Sequence, residues 1–80
     1  METYYFHTED GQFCHDDDGA ELRNIEAAKA EAVQLMVETL HRSPAKLWDT
    51  GAFKVIVTDE RGLTLFSVSV DATLAPILRR

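Results

Sequence analysis

Cysteine is almost absent. Cys14 stands alone in 80 residues, so no internal disulfide can form, which fits a reducing compartment. Glycine occurs four times and proline twice, too scattered to form a linker, and no repeat or low-complexity tract breaks the chain. The length therefore allows one small domain and no second. Basic residues are scarce as well, eight against fourteen acidic ones, for a net charge of −6. That balance repels phosphate backbones, removes the counterion release behind most nucleic-acid binding, and disfavours anionic lipid. No apolar run approaches the roughly 20 residues that span a bilayer. Met1 to His7 carries Glu2 and lacks the basic start of a secretory signal. A cytoplasmic address is expected, with neither nucleic acid nor membrane as partner. A chain of this size buries only about 60% of its unfolded surface, so its hydrophobic 45% makes a thin core, and no cofactor is expected.

The segments Tyr4 to His7 and Gln12 to His15 flank Glu9-Asp10-Gly11, the strongest short-range hairpin signal in the chain, and predict strands over about 3–7 and 12–15. Apolar residues then fall at Ile25, Ala28, Ala32, Leu35, Met36 and Leu40, the spacing of one helix face. Asn24 can cap the start of this helix, with Glu26 near its positive end and His41 and Arg42 near its negative end. Ser43-Pro44 should stop it, giving a helix over about 25–41. After a connector holding Leu47 and Trp48, two β-branched, alternating segments predict strands over 53–58 and 63–70, joined by Asp59-Glu60-Arg61-Gly62. Pairing Thr58 with Leu63 sets Val55 opposite Phe66 and Phe53 opposite Val68, which gathers the large apolar groups on one side. The expected fold is α+β, in the order ββαββ: a four-stranded antiparallel sheet with one long helix on one face and a tail over 72–80. Its core should hold Tyr4, Phe6, Phe13, Ile25, Leu35, Met36, Leu40, Phe53, Val55, Val57, Phe66 and Val68.

Tyr4-Tyr5-Phe6-His7 with Asp10-Gly11, Asp16-Asp17-Asp18-Gly19-Ala20-Glu21-Leu22, Glu26-Ala27-Ala28 and Glu31-Ala32 appear in an order that resembles a known family. The likeness continues through Phe53-Lys54-Val55-Ile56-Val57-Thr58-Asp59-Glu60-Arg61-Gly62 and covers nearly the whole chain. It is similar to a bacterial family of short uncharacterised domains, common in soil and plant-associated proteobacteria. The resemblance implies no activity, catalytic residue or cofactor. The family usually carries an aliphatic residue at the place of Cys14 and Arg or a similar residue at that of His15. A site built on those two residues is thus peculiar to this chain.

His7, Cys14, His15 and the run Asp16 to Asp18 supply imidazole, thiolate and carboxylate, the ordinary ligands of zinc and similar ions. A two-residue Asp10-Gly11 turn sets His7 opposite Cys14 and turns His15 to the other face, leaving two nearby ligands where a structural zinc needs four. Asp16-Asp17-Asp18-Gly19 resembles a calcium loop only superficially, because the position of the bidentate Glu is Ile25. It reads as a solvated acidic turn in which Gly19 supplies an unusual backbone angle. Cys14 with His7 or His41 is the sole nucleophile and base combination, with no nucleophile elbow or glycine-rich oxyanion loop nearby. An enzyme is not expected.

The sheet face without a helix should carry Tyr5, Ile56 and Leu65 beside His7, Lys54 and Ser67, a patch that can bind a partner unless Trp48 or the tail screens it. The leading reading is a small protein-interaction module working through Tyr5, His7, Ile56 and Leu65 or through a free edge strand, with self-association as one use. One alternative is an antitoxin-like or regulatory partner protein. It rests on an order of elements that loosely resembles antitoxins of the partial RNase-H-like sort, and on acidity that can mask a basic partner. The other is a metal-binding or enzymatic domain around His7, Cys14 and Asp16.

Overall fold

Asn24 begins the long helix as its residue type suggests. In the computed structural model, which describes residues 1–78, its side-chain oxygen accepts the Ala27 N–H at 2.9 Å and opens α1 (Ile25–Arg42). Ala28, Ala32 and Met36 form the buried face of α1. The two alanines are completely buried, and their small side chains let the helix lie close on the sheet.

Among the described residues the sheet has five antiparallel strands: β1 (Glu2–Glu9), β2 (Phe13–Cys14), β3 (Ala20–Leu22), β4 (Ala52–Thr58) and β5 (Thr64–Asp71). They run in the order β2-β1-β4-β5, and β3 pairs with the first residues of β1. The α+β class holds, but the sheet has a fifth strand and the chain a second helix, α2 (Pro44–Thr50). β3 is three residues long, too short to display a period-two pattern beside the acidic turn. α2 escapes a sequence reading because Pro44 ends α1 only to serve as the first residue of the next helix, where a missing N–H costs nothing. Ser43 closes α1 by donating its N–H to Thr39 O at 3.2 Å. Gly51 closes α2 with φ 85°, a left-handed value that favours glycine. Of the expected tail over 72–80, a short 3-10 turn forms at Pro76–Leu78, and the last two positions lie outside the described residues.

Two registers differ from expectation, with opposite consequences. In the first hairpin the loop is Asp10-Gly11-Gln12, so Glu9 faces Phe13 and Thr8 faces Cys14. That is one residue from the expected pairing, and a one-residue slip turns every side chain to the other face. Phe13 therefore leaves the core and stands half exposed on the side away from the helix. In the second hairpin Asp59 donates its N–H to Leu63 O and accepts the Leu63 N–H on Oδ1. Strand pairing then starts at Thr58 with Thr64, and a bulge next to Val57 sets Val57 opposite Phe66, Val55 opposite Val68 and Phe53 opposite Val70. The net slip there is two residues, which preserves the faces.

The core consists of Tyr4, Ala28, Ala32, Met36, Phe53, Val55 and Val57, with Phe6, Leu35, Leu40, Phe66 and Val68 packed around it. Leu22 of β3 and Leu47 of α2 join that shell. Ile25, at the first residue of α1, lies at the end of the helix–sheet interface and stays exposed.

Candidate functional site

The slip in the first hairpin gathers rings. Because Phe13 faces Glu9, both Phe13 and His15 rise on the same side of the sheet as Tyr5 and His7. The His7 ring lies 6.4 Å from that of Tyr5 and nearly parallel to it, 5.7 Å from Phe13 and 4.4 Å from His15, centroid to centroid. Covered on these sides, His7 is only 5% exposed.

Both ends of the His7 imidazole are hydrogen bonded. Its Nδ1 accepts the backbone N–H of Asp16 at 3.0 Å, and its Nε2 meets Thr58 Oγ1 at 2.9 Å. A peptide N–H can only donate, so Nδ1 carries no proton and Nε2–H donates to Thr58. Burial, aided by the neighbouring His15, holds the His7 pKa below its ordinary value against the opposing pull of Asp16 and Asp17.

Asp16 anchors the loop that brings His15 over His7. Its Oδ2 accepts the Phe6 N–H at 3.0 Å, in the gap between the part of β1 paired with β3 and the part paired with β2. Its Oδ1 accepts from Asp18 N at 3.1 Å and Gly19 N at 3.2 Å. Burial pushes the Asp16 carboxyl up, but the N–H groups of Phe6, Gly19 and Asp18 outweigh it and hold the pKa below the ordinary value. Gly19 has φ 71°, and a Cβ there would lie 2.9 Å from Tyr5 Cε2. The expected unusual angle is present, together with a contact the sequence does not display.

These residues line an open concavity of about 570 Å³. Its apolar and aromatic wall is Tyr5, His7, Phe13, His15 and Ile56, and its carboxylates come from Asp16, Asp17, Asp59 and Glu60. No Lys or Arg is among the described residues that line it. His15 Nδ1 lies 2.9 Å from Asp17 Oδ1 at the exposed mouth.

Of the four residues expected to form a binding face, Tyr5, His7 and Ile56 come together here. Leu65 does not line the concavity; it falls at the β5 bulge between Thr64 and Phe66. His7 lies beneath the rings around it and is no open contact residue. Lys54 and Ser67 are exposed but lie outside the lining. Trp48 and the segment from Ala72 to Leu74 border a separate hollow, so they do not screen this face. Cys14 faces Thr8 and not His7, which separates the thiol from the imidazole it was expected to oppose. Among the described residues no three His, Cys, Asp or Glu side chains converge as metal ligands. Sequence reasoning missed Phe13, Thr58, Asp59 and Glu60 as site residues. The signal for Phe13 lay in the turn, since hairpin loops of two and of three residues are both common; Gly11, with φ 96°, is the middle residue of the three-residue loop that forms.

Fold and site define a small α+β domain with an open sheet face built around a buried, doubly hydrogen-bonded histidine. Residues 3–71 match the domain of unknown function DUF6894, and the chain belongs to that family. No curated protein and no solved structure matches it. No helix among the described residues is long and apolar enough to cross a membrane.

Proposed function

We propose that this domain is a non-enzymatic protein-interaction module whose concave sheet face receives basic side chains of a partner. One observation carries the reading: rings and carboxylates share a concavity into which no Lys or Arg of the chain's described residues projects. A guanidinium or ammonium group is attracted by the face of an aromatic ring and by a carboxylate together. The volume suits such an occupant, since ligand clefts run from about 300 to 1,000 Å³, and the net charge of −6 steers a basic partner toward it. A regulatory protein that masks a basic partner is a case of the same chemistry.

The enzymatic alternative has less support. His7 has both nitrogens engaged, and the Asp16 carboxylate accepts from three backbone N–H groups. Each works as scaffold, and Cys14, which faces Thr8, is set apart from the His7 imidazole. Calorimetry with capped hexa-arginine and hexa-glutamate peptides tests the proposal. Binding of the arginine peptide, weakened about tenfold or more in a Phe13→Ala, Glu60→Lys double variant, is expected. Equal binding of the glutamate peptide, or an unchanged affinity in the variant, would sink it.

A further inference from the structure

The two edges of the sheet are built differently. On β1, β2 and β3 are two and three residues long and are separated by the acidic residues of the 15–19 loop. At the other end β5 spans eight residues, pairs regularly with β4 from Phe66 to Asp71 beyond the bulge at Leu65, and among the described residues has a neighbour on one side only. From Thr64 to Val70 it contains no charged residue and no proline. Charge and proline are two of the devices that keep an edge from pairing with another chain; a third, the bulge, is confined to Leu65 and leaves Phe66 to Val70 regular. Phe66, Val68 and Val70, on the helix-facing side of β5, remain partly exposed because α1 packs chiefly over β4.

We propose that β5 pairs with β5 of a second copy, antiparallel, about a two-fold axis at Val68. Such an axis, perpendicular to the sheet, maps each face onto itself, so only registers that pair side chains of the same face are allowed. Centred on Val68, the register sets Val68 against its own copy, Phe66 against Val70 and Ser67 against Ser69. Every apolar side chain meets an apolar one on the helix side, and each serine meets a serine on the open side. Such cross-strand pairs are the unit that stabilises a sheet. No acidic residue faces another in this register, so the net charge of −6 is not concentrated at the junction. A second copy is the occupant because the strand is complementary to itself: read backward about Val68, Phe66-Ser67-Val68-Ser69-Val70 repeats its pattern of apolar and hydroxyl side chains. Apart from Thr64, no β5 residue lines the concave face, so this contact is independent of the basic partner proposed above.

Sedimentation equilibrium from sub-micromolar to about 100 µM covers the range in which weak dimers form. The expected mass rises from 9.0 kDa toward twice that value. Ser67→Lys with Ser69→Lys, both exposed positions, should keep the protein monomeric while leaving its circular dichroism unchanged. In a Cys14→Ser background, a mixture of Ser67→Cys and Ser69→Cys proteins should crosslink on mild oxidation at least several-fold faster than either alone. A monomer at the highest concentration, a dimer that survives the lysine pair, or crosslinking with no preference for the mixture would each overturn the pairing.

Discussion

Thr58 Oγ1 lies 2.9 Å from His7 Nε2, so the central strand β4 holds one end of the buried imidazole while the Asp16 backbone holds the other. Thr58→Val keeps the shape of the side chain and removes the acceptor. A buried N–H without a partner costs about 1–3 kcal/mol, and urea unfolding at pH 7.5 should show a loss of that size. A stability equal to the parent's would mean that the imidazole proton finds another acceptor.

Acidification should weaken the fold in two stages. The His7 pKa lies below 6.5 in the folded state, so well above 6.5 the ring is neutral whether the chain is folded or not. As pH falls through 6.5 the unfolded chain takes the proton first, and stability declines until the folded value is reached, where this loss levels off. The Asp16 carboxyl, held below 3.8, contributes stability above that pH and loses it as pH falls further through the folded value. Denaturation midpoints between pH 8 and pH 3 measure both stages, and a His7→Gln variant should lose the first.

Gly19→Ala places a methyl group where φ is 71° and Tyr5 Cε2 is 2.9 Å away. A left-handed backbone alone costs a non-glycine residue about 1–2 kcal/mol. The melting temperature should therefore drop by several degrees, and the Tyr5 ring signals in NMR should shift. Retention of both would place the loop elsewhere than over Tyr5.

Enlarging the alanines under the helix should also destabilise. Ala32 is fully buried between α1 and the sheet, whereas Ala30 on the same helix is exposed. Ala32→Leu should cost about 1–3 kcal/mol through overpacking, and Ala30→Leu should leave the unfolding midpoint nearly unchanged. Comparable losses in the two variants would contradict the orientation of the helix.

The chain displays its long-range plan more clearly than its local offsets. Asn24, the spacing from Ala28 to Leu40 and the alternation of Phe53, Val55 and Val57 specify the helix, its cap and the core strand, because each rests on a period many residues long. The turns are harder. At Asp10-Gly11-Gln12 two loop lengths are chemically acceptable, and the choice between them carries Phe13 and His15 from one face to the other. At Asp59 to Gly62 the pairing lies two residues from the one expected, which leaves each side chain on its own face. Tyr5 and Ile56 share the open face, as alternation along their strands indicates, whereas the rings beside them depend on a turn that composition does not resolve.

The sheet order carries a consequence for biosynthesis. β1 pairs with β4, so Tyr5 waits for Thr58 and Glu9 for Lys54 before that side of β1 finds its main-chain neighbours. During translation α1 emerges complete while the first hairpin still lacks the strand that gives it a hydrophobic backing. A ribosome must add roughly fifty residues, several seconds of synthesis at about 5–20 residues per second, before the nascent domain can close.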